Sequence, residues 1–374
     1  MKLPFALPLI WGMWIYSCTP APTSSSPQEP EPSTESVQLF EIQRGTNISH
    51  WLSQSKVRGP ERAAFFTEAD VKYLADLGFD HLRIPIDEEQ MWDEAGNKES
   101  EAFELLHNAL GWCHAHGLKA IVDLHILRSH HFNYEEKPLW TEEDAQEQFF
   151  DCWRDLSVEL ASYPVEEVAY ELMNEPVADD PEDWNQLVEK AVAVVRENEP
   201  HRKILVGSNR WQSTETFDVL RLPPNDSNLI VSFHFYEPFL ITHYQTSWTQ
   251  IGDYTGPINY PGKTVAEEEL EKLSDPLKTA VQNANGLFTQ ESLEERILKP
   301  IQFAKDRGLQ VYCGEWGCYP AVPEEIRLSW YSDMRQILEK HDVAWTTWDY
   351  KGGFGIRDRE TGAPKEALIS VLTE

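Results

Sequence analysis

Short apolar runs alternate with longer amphipathic segments from about residue 40 to the end of the chain. Short continuous apolar runs are typical of buried strands, whereas apolar positions that recur every three or four residues are typical of helices. The pattern predicts eight strands, at 41–47, 80–86, 119–125, 167–173, 203–208, 229–235, 310–315 and 343–348.

Helix boundaries between these strands carry recognisable signals. Thr67 precedes an acidic first turn of a helix that ends at Gly78, and Pro181 is suited to the first turn of another. The other predicted helices end at His116, follow Thr141 as far as about Ser162, and cover about 290–307, 323–340 and 364–372.

Alternating strands and helices indicate an α/β fold in which helices cover a parallel sheet. Eight repeats favour a closed (β/α)8 barrel, the TIM barrel, as a single domain over residues 39–374. Neither glycine-rich phosphate-binding pattern of nucleotide-binding folds occurs, which disfavours an open doubly wound sheet. The longest irregular stretch, about 236–285, is expected to be a functional loop.

Residues 1–18 have the pattern of an export signal. One lysine is followed by the apolar run 3–16, which is too short to span a bilayer as a helix. Ile15-Tyr16-Ser17-Cys18 resembles a bacterial lipobox, in which the cysteine carries lipid, although Tyr16 stands where a small residue is usual. A plain signal peptide is the alternative. Residues 19–38 are rich in Pro, Ser and Thr and are predicted to be a linker.

Composition narrows the classes of function. The formal net charge of −31 disfavours a nucleic-acid-binding protein and binding to anionic lipid through a basic surface. The 14 tryptophans suggest stacking surfaces, and sugars are one common partner of such surfaces. No His or Cys spacing indicates a metal site. Four cysteines besides Cys18 could pair after export or remain buried thiols: Cys113, Cys152, Cys313 and Cys318.

Polar and aromatic residues stand where the predicted strands end, the face of such a barrel that carries active sites. In chain order these residues are Arg83, His125, Asn174, Glu175, His234, Tyr236, Glu315 and Trp348. The ends of the fourth and seventh strands face one another across a closed barrel, so Glu175 and Glu315 can act on one bond. Glycoside hydrolysis requires such a pair, one carboxyl to protonate the leaving oxygen and one carboxylate to attack the anomeric carbon.

This ordered set resembles glycoside hydrolase family 5, over the chain from about residue 40 to its end. The resemblance implies a retaining mechanism with Glu175 as general acid/base and Glu315 as nucleophile. The supporting roles that it implies are sugar 2-hydroxyl binding by Asn174, orientation and ionisation of Glu315 by Arg83 and Tyr236, a sugar contact or tuning of the acid by His125, a position near Glu175 for His234, and a floor under the sugar formed by Trp348.

Tryptophans follow many of the strands. Those at or just after strands are Trp51, Trp92, Trp140, Trp211, Trp248, Trp316 and Trp348. Because an indole ring stacks well on a pyranose face, we expect several of them to line an extended cleft. Trp51, Trp211 and Trp248 are our candidates beside Trp348.

These residues predict an exported endo-β-1,4-glucanase that acts on a polysaccharide by double displacement. The same catalytic set would serve an endo-β-1,4-mannanase, a xyloglucanase or an exo-acting β-glucosidase. A glycan-binding surface lipoprotein is the non-enzymatic alternative. No cofactor is implied. The protein is expected to be a monomer, lipid-anchored through Cys18 at the bacterial outer membrane or cell surface, or otherwise secreted.

Overall fold

Eight parallel strands, β1 to β8, close into a barrel within the part of the chain that the computed structural model describes, residues 11–13 and 40–374. Each strand pairs with its neighbours in sequence, and β8 pairs with β1. The strands are β1 Arg44–Asn47, β2 His81–Asp87, β3 Lys119–Ile126, β4 Val168–Glu171, β5 Ile204–Gly207, β6 Leu229–Phe235, β7 Gln310–Trp316 and β8 Ala344–Thr347. The predicted (β/α)8 architecture is therefore confirmed, with small differences at the strand ends.

Long helices follow most of the strands, close to the predicted positions. They are Glu68–Asp76, Ser100–Ala115, Glu143–Glu159, Pro181–Asn198, Gln290–Lys305, Glu324–Lys340 and Glu366–Thr373. Further helical segments are Pro60–Phe65, Glu88–Met91, Phe239–Thr242, Glu267–Leu270 and Leu277–Ala284, with 3-10 turns at Pro138–Trp140 and Thr214–Val219. The segment Asn209–Gln212 is a turn in which Arg210 and Trp211 have non-helical backbone angles. The start signals act as expected, since Thr67 N–H donates to the Asp70 carboxylate at 2.9 Å in a capping box.

The segment after β6 is more regular than its sequence indicated. Three short helices and an antiparallel pairing of Gly262–Lys263 with Leu287–Phe288 interrupt the predicted loop 236–285. These elements have two to eight residues, which is too short for a periodic pattern to reveal them.

Alternation along the strands builds the barrel interior in layers. Ile121, Ala169 and Ile230 belong to a small apolar cluster that is separate from the main core between barrel and helices. Two residues further along the same strands stand Asp123, Glu171 and Ser232, all fully buried. Because side chains two residues apart point to the same face of a strand, an apolar layer supports a polar layer inside the barrel.

The four cysteines of the barrel domain are buried free thiols, so of the two sequence-based alternatives the structure shows the unpaired one. Burial raises the pKa of Cys113 to about 12. Among the residues described, no helix combines the length and the apolarity needed to cross a membrane. The predicted lipidation residue Cys18, the linker 19–38 and, except for 11–13, the export signal 1–18 fall outside the described residues.

Candidate active site

Two glutamates meet at the carboxyl end of the barrel. Glu315 lies in β7, and Glu175 lies just after β4. One carboxylate oxygen from each, together with one ring nitrogen of His234, lies within 4.8 Å of the others. The two carboxyl groups are nearly buried, at 9% exposure for Glu175 and 4% for Glu315, yet both line the same cleft. Glu175 and Glu315 therefore meet at the ends of the fourth and seventh strands, where the sequence places them.

Glu315 is held at both oxygens. Arg83 Nη1 donates to Oε1 at 2.8 Å, and the Tyr236 hydroxyl donates to Oε2 at 2.9 Å. Arg83 is completely buried and also pairs with Asp123 at 3.0 Å and Glu171 at 2.6 Å. A single guanidinium thus compensates several buried carboxylates, which individually would be costly to keep charged away from water.

The two glutamates differ in acidity. Burial raises the pKa of Glu175 well above its ordinary value, and the charge of nearby Glu315 adds to that rise. Burial also raises the pKa of Glu315, but the Arg83 guanidinium opposes the rise, as does the hydrogen bond from Tyr236. Glu315 therefore loses its proton first, and Glu175 remains protonated beside it.

His234 bridges the pair. Its Nδ1 lies 3.0 Å from Glu175 Oε1 and 3.6 Å from Glu315 Oε2. Burial lowers the pKa of His234 well below its ordinary value, and Arg83 adds to this effect, so the ring is neutral at neutral pH. The neutral ring can share a hydrogen bond with Glu175 without adding a charge to the site.

His125, Trp348 and Asn174 lie around the two glutamates. The His125 ring stacks on Trp348, with centroids 5.6 Å apart and planes at 6°, and its Nδ1 lies 2.7 Å from Asp123 Oδ2. Asn174 Oδ1 accepts from Arg83 Nη2 at 2.9 Å, and its Nδ2 has no partner among the described residues. All three side chains line the cleft, so an incoming sugar ring could contact them.

The cleft is large, and three of the four candidate tryptophans line it. Its volume is about 1840 Å³, and Trp211, Trp248 and Trp348 line it. Trp211 is 44% exposed and Trp248 57% exposed, so each presents ring surface to a ligand. Trp211 also donates its indole N–H to the Phe132 carbonyl at 3.2 Å, which fixes the ring orientation.

The assignment of Trp51 to substrate binding is wrong. The residue is 1% exposed, packs its ring against Phe66 and donates its indole N–H to the Arg62 carbonyl at 2.9 Å. Its position just after β1 was a correct sequence inference, but the ring turns into the core between barrel and helices. Trp92 and Trp316, also found after or within strands, are buried in the same core.

Several residues that support the site escaped the sequence argument. Asn47 Oδ1 accepts from Arg83 Nη1 at 2.9 Å, and Glu171 accepts from Arg83 Nε at 2.6 Å. The sequence could have indicated Glu171, because it is a charged residue at an inward position of an otherwise apolar strand. Nothing in the sequence indicates Gln212, because its side chain reaches the site from the irregular segment after β5.

The carboxylate and imidazole groups of the site are also potential metal ligands. Among the described residues, Glu175, His234 and Glu315 form the one cluster of three acidic or imidazole groups close enough to share an ion. Both oxygens of Glu315 already accept hydrogen bonds from protein donors, and the Arg83 charge beside it repels a cation. This donor set suits proton transfer and nucleophilic attack better than coordination of a metal.

Comparison with known proteins agrees with this geometry. The family described as Cellulase (glycosyl hydrolase family 5) matches residues 40–353. Endoglucanase C of Acetivibrio thermocellus is 29% identical over 89% of this chain and 98% of its own length. Cellodextrinase A of Ruminococcus flavefaciens is 27% identical over 81% of this chain and 84% of its own length.

A solved structure supports the fold independently. The cellulose synthase subunit Z of Clostridioides difficile superposes with a TM-score of 0.72 at 23% identity, covering 89% of this chain and all of that one. Since the family match extends over most of the barrel and includes both facing glutamates, this chain belongs to glycosyl hydrolase family 5, the cellulase family, and is a glycosidase.

Proposed function

We propose that the protein is a retaining endo-β-1,4-glucanase in which Glu175 is the general acid/base and Glu315 the nucleophile. The observation that carries this proposal is that one carboxylate oxygen of Glu175 lies within 4.8 Å of one carboxylate oxygen of Glu315 in a shared cleft. Retaining glycosidases hold the two groups about 5–5.5 Å apart, whereas inverting enzymes need about 6.5–9.5 Å to admit a water molecule. The spacing therefore favours double displacement.

The order of ionisation supports the assignment of roles. Ionised Glu315 attacks the anomeric carbon, while the proton on Glu175 passes to the departing glycosidic oxygen. Once Glu315 has formed the glycosyl ester, its charge is gone, and one cause of the raised pKa of Glu175 disappears with it. Glu175 is then a better base, and it takes a proton from the water molecule that attacks the anomeric carbon and releases Glu315.

Side chains around the pair would hold the sugar at the cleavage point. Trp348 offers a flat ring, backed by His125, and the unpartnered Asn174 Nδ2 can donate to the sugar 2-hydroxyl. Arg83 and Tyr236 keep Glu315 oriented, and His234 contacts Glu175.

Endo-action on a polymer is favoured by the open cleft of about 1840 Å³ with Trp211 and Trp248 on its walls. The name and coverage of Endoglucanase C support a β-1,4-glucan as substrate. Binding at several sugar positions would spread the affinity along the chain, and so a polymer would be cut at internal bonds.

The proposal is tested with purified residues 39–374 on carboxymethylcellulose, mixed-linkage glucan, xyloglucan, glucomannan and galactomannan. We expect the viscosity of the glucans to fall faster than reducing ends appear, with the first product in the β-configuration by NMR. Glu315→Gln should abolish turnover, and Arg202→Lys, at the opposite end of the barrel, should not. An α-configured first product would contradict retention, and a preference for galactomannan, for xyloglucan or for short oligosaccharides would replace the substrate assignment.

We also propose that the enzyme is exported as a monomer and anchored through lipid on Cys18, in line with the lipobox-like segment and the linker 19–38. Expression of the full chain in a bacterium with radiolabelled palmitate should label the protein, and Cys18→Ser should prevent labelling. Label that persists in Cys18→Ser would refute the anchor, and a dimer in light scattering of residues 39–374 would refute the monomer.

A further inference from the structure

An unusual turn follows β5. Arg210, Trp211 and Gln212 have φ values of 57°, 61° and 51°, so three consecutive residues other than glycine adopt the left-handed conformation. Such residues are individually unfavourable there and persist only where surrounding contacts hold them. The turn sends neighbouring side chains in opposite directions, since Trp211 is 44% exposed at the cleft while Gln212 is completely buried.

Gln212 folds back into the barrel across Gly207. A Cβ atom at Gly207 would lie 2.2 Å from Gln212 Cγ, so the glycine leaves the space that the glutamine side chain occupies. In this position the amide satisfies all its hydrogen-bonding groups: Nε2 donates to Glu171 Oε1 and to Ser232 Oγ, both at 2.9 Å, and Oε1 accepts from the Glu175 backbone N–H at 3.0 Å.

These contacts join the two catalytic glutamates through buried groups. From the Glu175 backbone the path runs through Gln212 to Glu171, which accepts from Arg83 Nε at 2.6 Å. Arg83 in turn donates to Glu315 Oε1 at 2.8 Å. Glu175 itself has a φ of 44°, so its backbone also needs an external contact to hold it, and Gln212 supplies one.

We propose that Gln212 is a positioning residue that fixes the carboxyl group of Glu175 for proton donation to the leaving oxygen. The inference rests on the proposed role of Glu175 as the acid. The same turn carries Trp211, so a sugar stacked on that ring and the acid that protonates the bond are held by one rigid segment. Gln212 is completely buried, and it acts on the reaction through its hydrogen bond with the Glu175 backbone.

The test compares two substrates that differ in their need for an acid. Dinitrophenyl β-cellobioside has a leaving group that departs without protonation, whereas phenyl β-cellobioside requires it. The quantity measured is kcat/KM, which reports the steps up to the glycosyl-enzyme. For Gln212→Met we expect kcat/KM on the phenyl substrate to fall about 10–100-fold through kcat, since displacement of a catalytic group by about 1 Å costs up to that much, with little change on the dinitrophenyl substrate.

Glu175→Gln is the reference, and Thr216→Val is the matched control. Thr216 donates to the Asn209 carbonyl at 2.6 Å in the same segment but contacts neither glutamate, so its loss should not change the ratio of the two rates. If Glu175→Gln lowers kcat/KM equally on both substrates, the proposed acid role fails. If Glu175→Gln shows the leaving-group dependence and Gln212→Met does not, only the present inference is overturned.

A second variant distinguishes the loss of positioning from a folding defect. Ser232→Ala removes one of the two acceptors of the Gln212 amide and also the Ser232 contact with Glu171 at 3.2 Å. Should Gln212→Met fail to fold, Ser232→Ala decides: a smaller but leaving-group-dependent loss supports the proposal, and an equal loss on both substrates or no loss overturns it.

Discussion

Replacement of Arg83 by lysine tests the charge balance of the site most directly. Arg83 uses its N–H groups on Glu171, Asn47, Glu315, Asn174 and Asp123, at 2.6–3.0 Å. A guanidinium has five N–H donors and an ammonium has three, so at least two of these contacts are lost although the charge remains. Hydrogen bonds to charged groups contribute about 1.5–3 kcal/mol each, which gives a destabilisation of about 3–6 kcal/mol.

The same substitution should shift the pH profile. Arg83 opposes the rise in the pKa of Glu315, so a weaker contact raises that pKa further. Activity that needs ionised Glu315 is present above its pKa and is lost as the pH falls through it. A loss of about 1.5–3 kcal/mol at this contact therefore moves the acidic limb of kcat/KM upward by about one to two pH units, at 1.36 kcal/mol per unit.

The assay is kcat/KM of Arg83→Lys on a soluble β-cellobioside across pH, together with denaturant unfolding. Arg202→Lys is the matched control, because Arg202 is also completely buried and bonded to Glu199 and several carbonyls, but at the opposite end of the barrel. The control should lose stability and keep the wild-type pH limb. An unshifted acidic limb in a folded Arg83→Lys enzyme would refute the argument that Arg83 sets the ionisation of Glu315.

Three further outcomes are expected. Trp248→Ala should raise KM for long β-glucans about 3–10-fold, which corresponds to a ring contact of about 0.5–1.5 kcal/mol. Trp51→Ala should instead lower stability by about 3–5 kcal/mol, without an effect that depends on the length of the substrate. Equal KM values for Trp248→Ala and wild type on a cello-oligosaccharide series would count against the cleft assignment. Wild-type kcat/KM should fall at alkaline pH on phenyl β-cellobioside but not on dinitrophenyl β-cellobioside, because only the phenyl leaving group needs the proton of Glu175, which is lost as the pH rises through its raised pKa. An alkaline limb of equal size on both substrates would point to another group. The native protein, residues 39–374, should not react with Ellman's reagent, because its four thiols are buried and burial raises their pKa values. All four thiols should react after unfolding. Fewer than four reactive thiols in the unfolded protein would indicate a disulfide.

The polar layer inside the barrel has a cost and a use. Asp123, Glu171 and Arg83 are fully buried, and burial raises the pKa of Asp123 to about 7 although Arg83 opposes that rise. Buried ionic groups are often less stabilising than apolar packing of equal volume. Here they lie directly beneath the two glutamates, where a fixed arrangement of charge can favour attack at the anomeric carbon without rearrangement during the reaction.

Much of the fold and the core of the site were readable from sequence because they depend on short-range periodicity. Apolar runs marked all eight strands, and turn and cap signals marked Thr67 and Pro181 as helix starts. A closed parallel barrel places the strand ends on one face, so the residues that follow β4 and β7 had to meet there. For that reason the position of Glu175 opposite Glu315 needed no tertiary information beyond the strand count.

Other features depended on the direction of individual side chains, which sequence pattern does not specify. Trp51 and Trp248 both follow strands, but one ring packs into the core and the other lines the cleft, because local backbone angles and neighbouring rings decide the orientation. Gln212 reaches the site only through a turn of three left-handed residues that its long-range contacts stabilise. The amino-acid sequence alone determined which chemical groups stand at the strand ends. Tertiary packing decided which of these groups share a hydrogen bond and which face the substrate, because both outcomes depend on contacts between residues far apart in sequence.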